Sequence, residues 1–260
     1  MNAENHGYLV SAIQKNIRSD GRKCDETRET KIEYGVVATA EGSAKVTIGD
    51  TVVIAGVKMS IDKPYADTPE SGNFMVNVEL LPLSNPKFEA GAPSIQAIEL
   101  ARVTDRAIRE SKAIDSKKLC IEPGKYVWGV LVDICTINDA GGLFDACALA
   151  AMAAIKDAKF PETFEENGEL KVDYKKHTKN ALPLDREPIS VTVFKVGGEL
   201  LVDPLSIEED IAEARLTIAM IEDGTLCALQ KGGEGTFTVT EVEQMVDLAT
   251  KTASNLRKQL

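Results

Sequence analysis

Apolar and polar positions follow two different periods along this chain, and the periods divide it into strands and helices. Leu9, Ile13 and Ile17 recur every fourth residue in an otherwise polar segment, which predicts an amphipathic arm helix ending near residues 18–22. Residues 31–40, 44–48 and 51–61 read as a three-stranded meander with turns at Glu41-Gly42-Ser43 and Gly49-Asp50. A partly alternating run at 74–81 is followed by a loop punctuated by Pro82, Pro86 and Pro93, then by a helix predicted over 94–114. Residues 120–137 add extended structure; the stretch 126–137 is apolar except mainly for Asp133, as in a buried strand. Gly141-Gly142 permits a tight backbone approach before a helix over 143–157, whose many alanines allow it to lie close to a sheet.

From 161 to 188 the chain turns polar, with Glu165-Glu166-Asn167-Gly168, Lys175-Lys176 and two prolines, and reads as a long connection. Beyond it the earlier order returns: strands at 189–196 and 199–202, a loop, strands at 216–221 and 225–230, and a helix over 240–258. Val242, Val246 and Thr250, flanked by Met245, Leu248, Ala249, Ala253 and Leu256, give that helix a broad apolar face. Strands first and helices after, twice, imply an α/β fold of two similar units. The expected organisation is an arm at 1–30, a first half at 31–160, a connecting segment at 161–188 and a second half at 189–260.

Composition narrows the function. With 30 Lys and Arg against 41 Asp and Glu the formal charge is −11, which disfavours a protein that holds nucleic acid by bulk positive potential; polyanion contact requires a local cationic patch. Cys24, Cys120, Cys135, Cys147 and Cys227 are odd in number and widely spaced, as expected of free thiols in a reducing compartment. No stretch approaches the length of a membrane span and the first residues lack a signal-peptide core, so a cytoplasmic protein with no membrane partner is expected.

Several residue groups are candidates for chemistry. Arg102, Arg106 and Arg109 share one face of the 94–114 helix and form a cationic stripe whose guanidinium forks suit phosphate, or else a solvated face braced by Glu99, Asp105 and Glu110. Glu208-Glu209-Asp210 with Glu213 carries carboxylates of the kind hard cations use, but adjacent side chains diverge, and a solvated acidic loop is the expectation. His6 and His177 are too few for a zinc site or a catalytic triad, and Ser43, Ser84 and Ser206 lack a nucleophile elbow. Gly232-Gly233-Glu234-Gly235 has no following Lys-Ser or Lys-Thr and reads as a turn. Neither a metal nor a cofactor is expected. Gly141-Gly142 before a helix has the layout of an anion-holding loop, yet Leu143 and Phe144 follow in place of a hydroxyl and a cation, and Asp145 adds negative charge.

Arg18-Ser19-Asp20-Gly21-Arg22, then Gly49-Asp50-Thr51-Val52-Val53, the helix Glu99-Leu100-Ala101-Arg102-Val103-Thr104-Asp105-Arg106-Ala107-Ile108-Arg109, and Gly141-Gly142, in this order, resemble the RNase PH family over nearly the whole chain. The helix, with Ile121-Glu122-Pro123-Gly124-Lys125 after it, is similar to the non-catalytic ring subunits of archaeal exosomes. The resemblance implies an RNase PH-like α/β fold of two pseudo-symmetric halves, each with a mixed sheet packed by helices, and a six-membered ring, three-plus-three with an active RNase PH-like partner, with RNA-binding cap subunits and RNA as further partners. It places the arginine stripe on a substrate-binding helix, so Arg102, Arg106 and Arg109 are the expected RNA contacts. Active members attack the RNA 3′ end with phosphate, using arginines, a Gly-Gly-Thr-Arg-Thr-type loop and the aspartate of a Glu-Ala-Asp stretch. This chain has Gly141-Gly142-Leu143-Phe144-Asp145-Ala146 and Glu213-Ala214-Arg215 at those places. Arg215 cannot bind magnesium or act as a general acid, so no catalytic residue is expected; RNA phosphates or a partner's acidic group are what it could hold, with Asp210 the nearest substitute carboxylate. Competing readings are an active phosphate-dependent 3′ to 5′ exoribonuclease and a free-standing RNA-binding protein.

Overall fold

The first sheet follows from strict two-residue periodicity. In the computed structural model, which describes residues 3–260 with side chains from His6 onward, α1 (Ala3–Ile13) precedes β1 (Thr30–Tyr34), β2 (Gly42–Ile48), β3 (Thr51–Asp62), β4 (Asn73–Glu79), α2 (Ile95–Glu110), β5 (Cys120–Glu122) and β6 (Tyr126–Asn138). Buried and half-buried residues alternate along β3 from Thr51 to Met59, so Val53, Ala55, Val57 and Met59 all face the core. The strand order is β1-β2-β3-β6-β4, with β5 also on β6; β4 runs parallel to β6 and every other pair is antiparallel, making a mixed sheet. β2 and β3 meet at Ile48↔Thr51 across Gly49-Asp50, where Gly49 takes the left-handed conformation (φ 56°).

α3 (Leu143–Asp157) matches its predicted span, and Leu143 to Ile155 are all buried. A helix covered on every side must lie inside the molecule. α3 packs on β2, β3 and β6 of the first sheet and on β9 (Ile189–Val196) of the second, between the two. Its alanines permit this, and at its end a Cβ on Gly42 would lie 2.4 Å from the Ala158 backbone. α2 starts at Ser94, whose hydroxyl accepts from the Ala97 N–H, and buries Ala97, Leu100, Val103, Thr104, Ala107 and Ile108. It ends short of residue 114 because Lys112 turns left-handed (φ 54°).

The chain then forms β7 (Lys159–Glu166), β8 (Glu169–Ala181), β9, β10 (Glu199–Val202), the one-turn α4 (Ser206–Glu209), β11 (Ala214–Met220), β12 (Leu226–Gly233) and α5 (Val239–Leu256). The second sheet, β10-β9-β11-β12, is antiparallel throughout, not mixed as expected: short turns at 197–198 and 221–225 join β9 to β10 and β11 to β12, and the chain returns through α4 to lay β11 antiparallel to β9. β9 is buried along almost its whole length by α3 and α5. In α5 the buried stripe runs through Met245, Ala249, Thr252, Ala253 and Leu256, while Thr250 faces solvent and bonds back to the Val246 carbonyl at 2.7 Å.

Other departures have local causes. α1 stops at Ile13, not near residue 18, because Asn16 turns left-handed (φ 57°) and the Ile17 N–H closes on the Ala12 carbonyl at 3.0 Å, leaving Ile17 57% exposed. β1 stops at Tyr34 because Gly35 turns the chain (φ 66°). The polar stretch read as a loop is the β7-β8 hairpin, reversed at Asn167-Gly168 with both residues left-handed. Its polarity marks a ribbon standing in solvent, not an absence of structure. The five cysteines are free; Cys24 and Cys147 are buried and the others half-buried. Among the described residues no helix is long and apolar enough to cross a membrane.

Candidate functional site

β6 ends at Asn138 and delivers the glycine pair to the start of α3, both glycines left-handed (φ 93° and 76°). A Cβ on Gly141 would meet the Pro204 carbonyl oxygen at 2.4 Å and the Ser206 nitrogen at 2.6 Å, so the loop leading into α4 can lie directly against it. Helix starts offer unpaired N–H groups to anions. Here the chain uses its own. The Gly141 N–H donates to Asp139 Oδ1 at 3.0 Å and the Gly142 N–H to Glu209 Oε1 at 2.9 Å.

α4 corrects the expectation of a solvated acidic loop in part: Glu208 is buried and Glu209 half-buried, while Asp210, paired with Lys87 at 2.8 Å, and Glu213 remain exposed. Glu208 accepts from Arg18 through both oxygens (3.0 and 2.5 Å) and from the Leu205 N–H. Glu213 takes the Gly197 N–H at 2.8 Å, and of the stretch expected to be a turn Gly232 and Gly233 still belong to β12, paired with Arg215 and Ala214, with only Glu234 and Gly235 beyond it. Among the described residues no group of three His, Cys, Asp or Glu is arranged around a common metal position.

Burial pushes the Glu209 carboxyl up to about 7, with Asp139 adding to the rise and the Gly142 N–H, Arg215 and Arg28 opposing it. Asp145 is fully buried and held well above the carboxylate range, mainly by burial and also by Asp203 and Glu209, while Thr192 opposes the rise; its Oδ1 has no partner among the described residues. A raised folded-state value means that the folded chain binds the Glu209 proton more tightly than the unfolded chain. Its contribution is therefore complete below the ordinary value of 4.5 and is lost as pH rises toward about 7. Between about pH 4.5 and 8, the stability of the native chain relative to Glu209→Gln is expected to fall by about 2–3 kcal/mol, measured by urea unfolding. Parallel pH profiles for the two proteins would contradict this.

Beside the loop lies a cavity of about 220 Å³ lined by Gln96, Glu99, Phe144, Phe194, Glu209 and Arg215. Arg215, expected to offer its charge to RNA or to a partner, is engaged within the chain. Its Nη2 pairs with Glu99 Oε1 at 2.6 Å, and its guanidinium stacks 4.5 Å from the Phe144 ring centre. Gly232 makes room, since a Cβ there would fall 2.5 Å from the guanidinium carbon. Glu99 therefore braces Arg215 and not the arginine stripe.

That stripe divides. Arg109 is held by Asp105 (3.0 and 2.8 Å), donates to the Phe74 carbonyl at 2.9 Å and stacks over the Phe74 ring at 5.7 Å. Arg102 and Arg106 are exposed and have no ion pair or side-chain hydrogen bond among the described residues. Arg106 lies beside Leu229 and Gln230 of β12, and Arg102 at a groove of about 1240 Å³ between α2, β4 and the 82–94 loop. Sequence reading did not find the clamp that fixes the site. Arg28 pairs with Asp203, 175 residues away, and donates to the Ala140 and Gly141 carbonyls at 3.1 and 2.9 Å. No local signal marks a partnership across that separation, although Arg18 and Arg22 of the same network lie in the segment noted for its resemblance.

Comparison with known proteins agrees with this geometry. The family models described as 3′ exoribonuclease family, domain 1 and domain 2, match residues 26–161 and 187–252. The Exosome complex component Rrp42 of Methanocella arvoryzae is 44% identical over 253 residues, 97% of this chain and 94% of that protein. Its namesake from Methanothermobacter thermautotrophicus is 43% identical over 248 residues, 95% of this chain and 91% of the other. A chain in the Archaeoglobus fulgidus exosome with RNA bound to the active site superposes with a TM-score of 0.88 at 42% identity, covering 98% of this chain and 97% of that one. Rice Rrp46, at 16% identity and a TM-score of 0.69 over 93% of this chain and 97% of its own, shares the fold.

Proposed function

The chain belongs to the RNase PH family of 3′ exoribonucleases, and on that premise we propose that it is a non-catalytic subunit of an RNA-degrading exosome, alternating with an active RNase PH-like partner in a six-membered ring. It structures the partner's active site and holds RNA for 3′ to 5′ degradation. One observation carries this reading: the cleft beside the glycine pair is neutralised from within, by Arg215 on its wall locked between Glu99 and Phe144. Phosphorolysis depends on positioning and charge neutralisation around a phosphate nucleophile. Where active members present a carboxylate, this cleft presents a guanidinium already neutralised by its own Glu99.

The arm (1–30), the two halves (31–160 and 189–260) and the connecting segment (161–188) are the units of this subunit, which acts in the cytoplasm with RNA-binding cap subunits on its ring. Arg102 and Arg106 contact RNA phosphates because both are exposed and uncommitted, and Arg109 adds charge to the same face while tethered to Asp105. Co-expression with an active RNase PH-like homologue, followed by native mass measurement, should give three-plus-three stoichiometry; a chain that stays monomeric beside its homologue would refute the assembly. Within that ring, Arg106→Glu is expected to weaken RNA binding roughly tenfold and to lower the slope of log affinity against log salt by about 1, with the ring intact. Unchanged affinity and slope would remove Arg106 from the RNA path.

A further inference from the structure

We propose that Asn167, at the tip of the β7-β8 hairpin, is a site of spontaneous modification, where the side-chain amide is lost and the residue becomes aspartate or isoaspartate. Asn167-Gly168 is the one Asn-Gly pair in the sequence. The fold leaves both residues exposed in a two-residue turn, each with positive φ (54° and 81°), beyond the last rung of the ladder at Glu166↔Glu169. Among the described residues the Asn167 carboxamide takes part in no hydrogen bond, and a Cβ on Gly168 would meet nothing within 4 Å. The amide is therefore unrestrained and the nitrogen that follows it unshielded. Other asparagines are placed differently. Asn85 precedes Pro86, whose nitrogen has no proton to lose. Asn77 and Asn138 donate to Asp133 at 3.2 Å and to the Asp50 carbonyl, and each is followed by a side chain that crowds the next nitrogen.

Hydroxide removes the Gly168 amide proton, and the nitrogen attacks Asn167 Cγ. The bond from Gly168 N to Cγ forms, the Cγ–Nδ2 bond breaks and ammonia leaves, giving a cyclic imide. Water then adds to one of its two carbonyls. Breaking the new N–Cγ bond gives aspartate, whereas breaking the original peptide bond leaves the chain running through Cγ, as isoaspartate. One water is consumed and one ammonia released, with no change in oxidation state. Ring closure requires the peptide unit between the two residues to rotate out of the turn, and at position 168 no side chain hinders that rotation. The tip is also weakly held. Its ion pair is the exposed Lys171–Glu166 at 2.6 Å, whereas the base of the ribbon is fixed by the Thr178 hydroxyl on the Phe160 carbonyl at 2.8 Å and by Lys58 over the Tyr174 ring. Local opening at the tip is correspondingly cheap. Aspartate adds a charge beside Glu165, Glu166 and Glu169. Isoaspartate lengthens the backbone of a turn that admits two residues, so the Glu166↔Glu169 rung is lost while the sheets behind it stay intact.

The test incubates the intact folded chain in mildly acidic and in mildly alkaline buffer, then digests it after lysine and weighs the peptides. Cleavage at Lys159 and Lys171 releases residues 160–171, in which Asn167 is the single side-chain amide, so exchange of NH2 for OH in that mass reports on this residue alone. Conversion should be faster there than in any other asparagine-containing peptide and should accelerate with hydroxide, and chromatography should resolve two products of equal mass. Gly168→Ala should slow it on the order of tenfold. Asn167→Gln, which would have to close a larger ring, should keep its amide over the same period. The proposal is overturned if peptide 160–171 keeps its amide in alkaline buffer or loses it more slowly than another asparagine peptide, if the rate ignores hydroxide, if Gly168→Ala matches the native rate, or if Asn167→Gln is converted as fast as the native residue. Every readout is a mass from the chain by itself, so the result stands apart from ring assembly and RNA degradation.

Discussion

Replacing Arg18 with alanine is expected to lower the unfolding free energy by about 3–5 kcal/mol. Arg18 is 2% exposed, and its guanidinium donates to both Glu208 oxygens and to the carbonyls of Glu26, Val202 and Asp203. Truncation leaves Glu208, itself 1% exposed, as a buried charge with no cation and takes one donor from each of three carbonyls, of which those of Glu26 and Asp203 keep Arg22. The penalty comes from the orphaned groups more than from the lost attraction. Arg18→Met combined with Glu208→Leu removes both charges together and should recover much of the loss. Urea unfolding of the three proteins separates the two sources: a double variant as unstable as Arg18→Ala would place the cost in packing and not in charge.

The second large effect is expected at Gly141. Alanine there must hold a φ of 93° and fit a methyl group 2.4 Å from the Pro204 carbonyl oxygen, where the neighbouring atoms are backbone and cannot rotate away. Backbone strain and overlap together should cost about 2–4 kcal/mol. The displacement would push the 204–206 loop, and with it α4, away from α3. Loss of the Gly142–Glu209 hydrogen bond should accompany the loss of stability, visible as faster amide exchange at Gly142. A Gly141→Ala protein with native stability and native exchange at Gly142 would show that the loop does not depend on this contact.

How much of this could be read from the chain depends on the range of the interaction. The period-two burial of β3 and the alanine-rich α3 are encoded locally, and α3 falls at its predicted boundaries. Helix ends were less legible. α1 and α2 stop where Asn16 and Lys112 adopt left-handed conformations that an apolar stripe does not announce. Polarity misled twice, in opposite directions. The 161–188 stretch is polar because its hairpin stands in solvent. Glu208 and Glu209 look equally polar but are turned inward by Arg18 and Gly142, partners 190 and 67 residues distant. The same limit applies to the site. An arginine at 215, where the resemblance expects a carboxylate, was visible in the sequence, but the Glu99 and Phe144 that hold it, and the glycine that admits it, emerge only when α2, α3 and β12 come together.

These contacts share a direction: each turns a group that could meet a phosphate toward another part of the same chain. Arg215 faces Glu99, the Gly142 N–H faces Glu209, and Arg28 faces Asp203. Among the described residues Arg102 and Arg106 are the arginines of the α2 stripe left without an ion pair. The most direct test of this account is to incubate the purified chain, free of any homologue, with single-stranded RNA and millimolar inorganic phosphate and to measure nucleoside diphosphate. The account predicts none above the rate without protein, and release of nucleoside diphosphate only when an active partner is added. Release by the chain alone would contradict it.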